Sequence, residues 1–179
     1  MASEEMGLTD LLKHGLEDMY YAEARIQKAL PKMIAAAQDE ELKRGLERHL
    51  EETAEQITML EEAFEAMGEK PRSEKCDAMD GILKEGDSLL ADFGGTAAGD
   101  AAIIFSCQAV EHYEIARYGS LRAYAELLGL DQVADLMNDI LEQEEAADEL
   151  LSEIAEDRAN PMAAGESPDS LDDEDEEHE

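Results

Sequence analysis

Residues 107–121 read CQAVEHYEIARYGSL, and this stretch decides the fold. Cys107, Ile115, Tyr118 and Leu121 recur at the spacing of one helix face, continuing a stripe that begins at Ile103 and Ile104. Between Cys107 and Tyr118 the stripe is broken by Glu111 and Glu114, three residues apart and so on the same face one turn on. A helix that turns two carboxylates toward its own apolar side needs partners that explain them.

Working outward, the helical pattern extends over residues 98–128 and ends at Gly129, a residue that readily takes the left-handed turn closing a helix. Three more long patterns share its character. One covers residues 8–37, with Leu8, Leu12, Leu16, Met19, Ile26, Leu30 and Met33 inward. Thr9 or Asp10 is its expected cap, and Pro31 predicts a kink. The second covers residues 39–67, with Leu42, Leu46, Ile57, Leu60, Phe64 and Met67 inward and Gly68 as its stop. The last covers residues 131–157, with Val133, Leu136, Met137, Ile140, Leu151 and Ile154 inward. The connection 68–98 contains Pro71, a shorter helical stretch over 76–93, then Gly94 and Gly95. Tight turns near Gln38 and Gly129 demand antiparallel neighbours, and one long connection separates the two pairs. The expected fold is therefore all-α: a ferritin-like four-helix bundle of two antiparallel hairpins joined by a long crossover containing a short helix. Residues 1–158 form this domain, and 159–179 are expected to be an acidic, disordered tail.

Each of the other helices also has polar residues where its stripe should continue. Glu23 lies between Met19 and Ile26, His49 and Glu52 between Leu46 and Leu60, and Glu144 and Asp148 between Ile140 and Leu151. Glu23 and Glu52 are about 15 residues either side of the first turn, and Glu114 and Glu144 about 15 either side of the second. At 1.5 Å per residue, both pairs sit roughly 20 Å from their turns, in one layer of the bundle. Carboxylates crowded in a core lose hydration and repel, at roughly several kcal/mol per ion. Two divalent cations would neutralise most of that charge. Carboxylate and imidazole suit iron or manganese; zinc would be expected with thiolates, which the layer lacks. Such a pair of metals can bind and reduce oxygen or peroxide. The plainer alternative is surface residues on wrongly phased helices, and the coincidence on four helices weighs against it. Gln56 extends the second stripe beside the layer. Tyr20 and Tyr113 lie near it, as hydrogen-bond donors, redox relays or ordinary core, and His112, off the seam, could orient a ligand carboxylate. His14 reads as packing, His178 as tail, and residues 70–75 as a modest basic loop.

Composition agrees. The chain has 179 residues and 19.7 kDa, enough for one domain with a real core; it has no Trp and only 4% aromatics, which favours helix over sheet. Its 47 acidic and 14 basic residues give a formal charge of -33. That disfavours nucleic acid and anionic membranes as partners through a basic surface. Nine acidic residues belong to 159–179, so the rest, with 38 acidic and 14 basic, still carries -24. Sparse Lys on the outer helix faces favours a surface adapted to high salt over an ordinary acidic cytosolic one. Cys76 and Cys107 form no C-x-x-C pair, and no secretory signal or membrane-length apolar run is seen, so a reducing cytoplasm is expected. Cys107 reads as a buried thiol, Cys76 as part of the connection, and a bridge between them stays open.

Five stretches, DMYYAE (18–23), HLEET (49–53), CDAMDG (76–81), VEHYEIA (110–116) and EEAAD (144–148), together resemble the YciE/YciF-type ferritin-like family over most of residues 8–156. The resemblance implies a dimeric bundle linked to bacterial stress, with a rubrerythrin-like dimetal centre. Its ligands would be Glu23, His49, Glu52, Glu111, Glu114, Glu144 and Asp148, holding two iron ions or, alternatively, manganese. Glu52 and Glu114 are the expected bridges. Two departures from the broader ferritin pattern count against simple ferroxidase activity: the order His49-x-x-Glu52 is reversed, and Asp148 stands in place of a histidine. No Cys-rich rubredoxin-like module is present in the sequence. The expected protein is a cytoplasmic homodimer with oxidase- or peroxidase-like handling of iron, oxygen or peroxide. Its rivals are a non-enzymatic structural or interaction dimer whose metal only stabilises the fold, and, last, a storage cage.

Overall fold

The computed structural model describes residues 6–166. They form helices α1 (Leu8–Ala36), α2 (Glu40–Ala66), α3 (Asp77–Phe93), α4 (Gly99–Leu128), α5 (Asp131–Ile154) and α6 (Asn160–Ala164), with one π-helical turn, Ala155–Ala159, joining the last two. Among the described residues there is no strand. Helix α1 packs on α2 and α4, and α5 packs on α2 and α4, closing a ring of four. Helix α3 lies outside the ring, across α1 and α4.

The hairpin turns explain the antiparallel pairing. Only Ala37–Asp39 separates α1 from α2. Asp39 caps α2, its Oδ1 accepting from the Glu41 and Leu42 amides at 2.8 and 2.9 Å. The turn is also gripped from the other hairpin: Asp100, at the start of α4, accepts from the Gln38 and Asp39 amides at 2.8 and 2.9 Å. Between α4 and α5, Gly129 adopts φ 69°, which lets the Leu130 amide reach back to the Ala125 carbonyl at 2.9 Å. The crossover leaves α2 through Gly68 at φ 72° and runs past α1, where the Glu74 amide donates to the Glu17 carbonyl at 3.0 Å. Cys76 then caps α3, its Sγ accepting from the Met79 amide at 3.3 Å.

Two local expectations change. Helix α1 starts from Gly7, with Asp10 working from inside the first turn by accepting from the Gly7 amide at 2.7 Å. It runs through Pro31 to Ala36. The tail expected from residue 159 is corrected at its start: Ala155 and Ala159 are buried, and the chain continues helically to Ala164. Residues 160–164 make little more than one helical turn, too short for a stripe to announce them. Residues 167–179 lie outside the described residues. Cys76 and Cys107 are both buried and both free thiols.

Candidate metal centre

The core is apolar at both ends of the bundle and polar in the middle. Leu12, Leu16, Leu60 and Phe64 fill one end; Leu30, Leu42, Ile103 and Ile154 fill the other. Between them lie Glu23 from α1, His49 from α2, Glu111 and Glu114 from α4 and Glu144 from α5, all buried. His49, Glu111, Glu114 and Glu144 each offer one ligand atom such that all four atoms lie within 4.8 Å of one another. His49 Nε2 is 3.4 Å from Glu111 Oε1. Glu23 faces Glu114 and Glu144 from α1.

Few protein groups satisfy these atoms. Tyr118, fully buried, donates its hydroxyl to Glu23 Oε1. Gln56 donates to Glu144 Oε1 and, at 2.9 Å, to Gln143 Oε1. The buried hydroxyl of Thr53 bonds back to the His49 carbonyl at 2.7 Å. Left without a hydrogen-bond partner are Glu23 Oε2, both His49 nitrogens, Glu111 Oε2, both Glu114 oxygens and Glu144 Oε2. Buried polar atoms are nearly always paired, so seven orphans on five neighbouring side chains mark a site built for something else. Burial, reinforced by Glu144, lifts the Glu23 carboxyl from its ordinary 4.5 to about 8. Burial and neighbouring carboxylates also push Glu111 and Glu114 well above the ordinary range, and burial pushes the Tyr118 phenol well above its own. Without a cation the cluster must hold protons; with one, each carboxylate can ionise and coordinate. Three mutually close carboxylates, an imidazole and a fourth carboxylate behind them form a donor set that fits hard or borderline divalent cations.

The structure separates the seven sequence candidates into three groups. Glu23, His49, Glu111, Glu114 and Glu144 meet in the core. Glu52 stays on the rim, its side chain 25% exposed, with Oε2 3.9 Å from His49 Nδ1 and Oε1 3.8 Å from Arg48 Nε. Asp148 does not join the group. Its side chain is 21% exposed, and its oxygens are held by His112 Nε2 at 3.0 Å and by Gln108 Nε2 at 3.2 Å. The reason is phase: four residues after Glu144, Asp148 has rotated about 40° further round the helix. His112 does orient a carboxylate, but on the outer side of the α4–α5 seam. Tyr20 and Tyr113 also point elsewhere. Tyr20 donates to Glu61 at 2.7 Å, and Tyr113 donates to Asp18 at 3.2 Å while lying 3.1 Å from Cys76 Sγ. The tyrosine on the cluster is Tyr118, which its place in the apolar stripe concealed; the signal was its height, one turn from Glu114.

Fold and site together define a class: crossover-connected antiparallel helix bundles with a histidine–carboxylate cluster in the core that can hold a metal. Residues 7–164 match the family described as a domain of unknown function, DUF892, and the chain belongs to that family. It is 37% identical over 157 residues to protein YciF of Escherichia coli, covering 87% of this chain and 95% of that protein. The crystal structure of the E. coli stress protein YciF superposes with a TM-score of 0.83 at 36% identity, covering 87% of this chain and 99% of the other. YcfI of Rhodopseudomonas palustris, provisionally described as a structural protein, matches at 46% identity and TM-score 0.81, covering 85% and 97%. A Xanthomonas campestris protein matches at 26% and 0.67, covering 88% and 96%. Among the described residues no helix is long and apolar enough to cross a membrane.

Proposed function

We propose that this chain holds a carboxylate-bridged pair of metal ions, iron with manganese as the alternative, and handles iron, dioxygen or peroxide in a cytoplasmic stress response. The observation that carries this reading is the set of seven buried, unpartnered oxygen and nitrogen atoms on five side chains that four helices bring together. The inner ligands are Glu23, His49, Glu111, Glu114 and Glu144. Glu114, with both oxygens unpartnered, would be free to offer both to the ions. Glu52, next to His49, completes the set from the rim. Asp148 acts through His112 and Gln108 by tying α5 to α4. Bound metal ions would supply one-electron chemistry and Lewis acidity toward oxygen or peroxide. Tyr118 holds Glu23 in place and can return a proton to it, and Gln56 does the same for Glu144 by orientation alone. The apolar layers above and below exclude bulk water from the cluster.

A second reading, a structural dimer whose metal only stabilises the fold, is favoured by the description of the R. palustris relative. Exposed Phe105 and Leu127, at 65% and 79%, give a second copy something apolar to cover. Metal analysis of the purified full chain, followed by mixing with iron(II) and oxygen or peroxide, separates the readings. The first expects about two metal ions per chain and turnover. Bound metal without turnover selects the second, and absence of bound metal after iron(II) loading overturns both. Light scattering gives the mass, expected to be that of a dimer.

A further inference from the structure

A cavity of about 30 Å³ lies between α1, α3 and α4. Its walls are Ile26, Met33, Ile82, Leu83, Cys107 and Val110, and its inner end is made by His49 and Glu111. We propose that this cavity is a port that delivers dioxygen, in preference to peroxide, to the metal centre; the proposal rests on the dimetal reading.

The volume suits a small diatomic molecule, being about twice that needed for one water. Outward of its His49–Glu111 end, the lining is apolar and carries no charged side chain. The Ser106 hydroxyl is turned to its own helix, donating to the Ala102 carbonyl at 2.9 Å. Burial holds the Cys107 thiol protonated, pushed up to about 12. On that outer stretch water and peroxide would lose hydrogen bonds, whereas dioxygen loses none. Half-buried Ala29, Ile82 and Leu83 mark the outer side, and buried Val110 the inner. The outer wall is α3, the crossover helix. At its closest approach it carries Gly86, where a methyl group would already lie 3.3 Å from Met33 Cε and 3.4 Å from Ser106 Cβ.

A second, smaller cavity of about 10 Å³ reaches the same His49 and Glu111 from the α2–α5 side, with Arg48 and Glu52 at its rim. Leu46, Ala147, Leu150 and Leu151 complete its lining, and its volume is about that of a single water site. The cluster thus has a wider apolar approach and a narrower one with a charged rim, on different faces.

The test begins with metal-free full-length protein. Xenon under pressure is expected to occupy the cavity in crystals, and dissolved dioxygen to broaden the NMR signals of the Ile82, Leu83 and Val110 methyl groups selectively. Gly86→Val and, should that variant fold poorly, Ile82→Phe are expected to abolish both effects. In iron(II)-loaded protein the same variants should slow oxidation by dioxygen on the order of tenfold while leaving oxidation by peroxide within about twofold. Equal slowing with both oxidants would overturn the port. So would a cavity that takes up neither xenon nor dioxygen in protein that does bind iron, and there the dimetal reading survives. Xenon uptake by protein that binds no iron would overturn both.

Discussion

Glu23 shows how one residue couples burial to metal. One oxygen is held by Tyr118 and the other faces Glu114 and Glu144 unpaired. Because burial raises its carboxyl to about 8, folding of the metal-free chain favours the protonated form. That stability is fully present below the unfolded value of 4.5 and is lost as pH rises through about 8. Metal-free protein should therefore melt progressively lower between those limits, and thermal denaturation across pH checks it. Glu23→Gln keeps the shape without the charge, so at pH 9 it should stabilise the metal-free chain by roughly 1–3 kcal/mol while weakening metal binding. Glu23→Ala combined with Glu144→Ala should lose the metal altogether by mass spectrometry; retention would count against this centre. At this scale the sequence was informative wherever a charge interrupted an apolar stripe. It misled at Asp148, where a spacing of four hid a rotation off the seam, and it was silent at Tyr118, whose ring fits an apolar stripe while its hydroxyl serves a carboxylate.

At the scale of elements, stripes and glycines located five of the six helices, because each long helix buries a continuous face and α2 and α4 stop at Gly68 and Gly129, both at positive φ. Helix α6 and the preceding π-turn were not legible, since Asn160–Ala164 carries too little apolar periodicity to register. Contacts made far away in sequence were equally hidden. Asp39 is an example: its capping role follows from position, but its bond to Arg158, with Nη1 3.4 Å from Oδ2, does not. Burial alone would raise the Asp39 carboxyl, yet the Leu42 and Glu41 amides and Arg158 outweigh it and hold the group below its ordinary 3.8. Asp39→Ala should cost about 1–2 kcal/mol in urea denaturation, as lost caps do. Its contribution should vanish from the wild type as pH falls below 3.8.

At the scale of the molecule, charge is the dominant property. A formal charge of -33 on 179 residues makes the folded state repel itself, and salt screens that repulsion. Moving from about 0.01 M to 1 M KCl shortens the screening length from roughly 30 to 3 Å and should raise the melting temperature. A flat or falling melting temperature would argue against the high-salt reading of the composition. The sequence states this charge outright, but not where it meets the fold. Helix α3 is fastened to α1 from outside through Lys32–Asp87 at 2.6 Å and Arg25–Asp80 at 3.0 Å, pairs that the same salt would weaken.

Asp100 belongs to the second hairpin, yet its carboxylate closes the turn of the first. The first half of the chain cannot complete its own corner without the second. Melting should accordingly be a single all-or-none event rather than two, with the calorimetric and van't Hoff enthalpies equal for each cooperative unit. In Asp100→Ala the halves would be free to come apart in sequence, and amides around residue 40 would exchange with solvent well before those of α4.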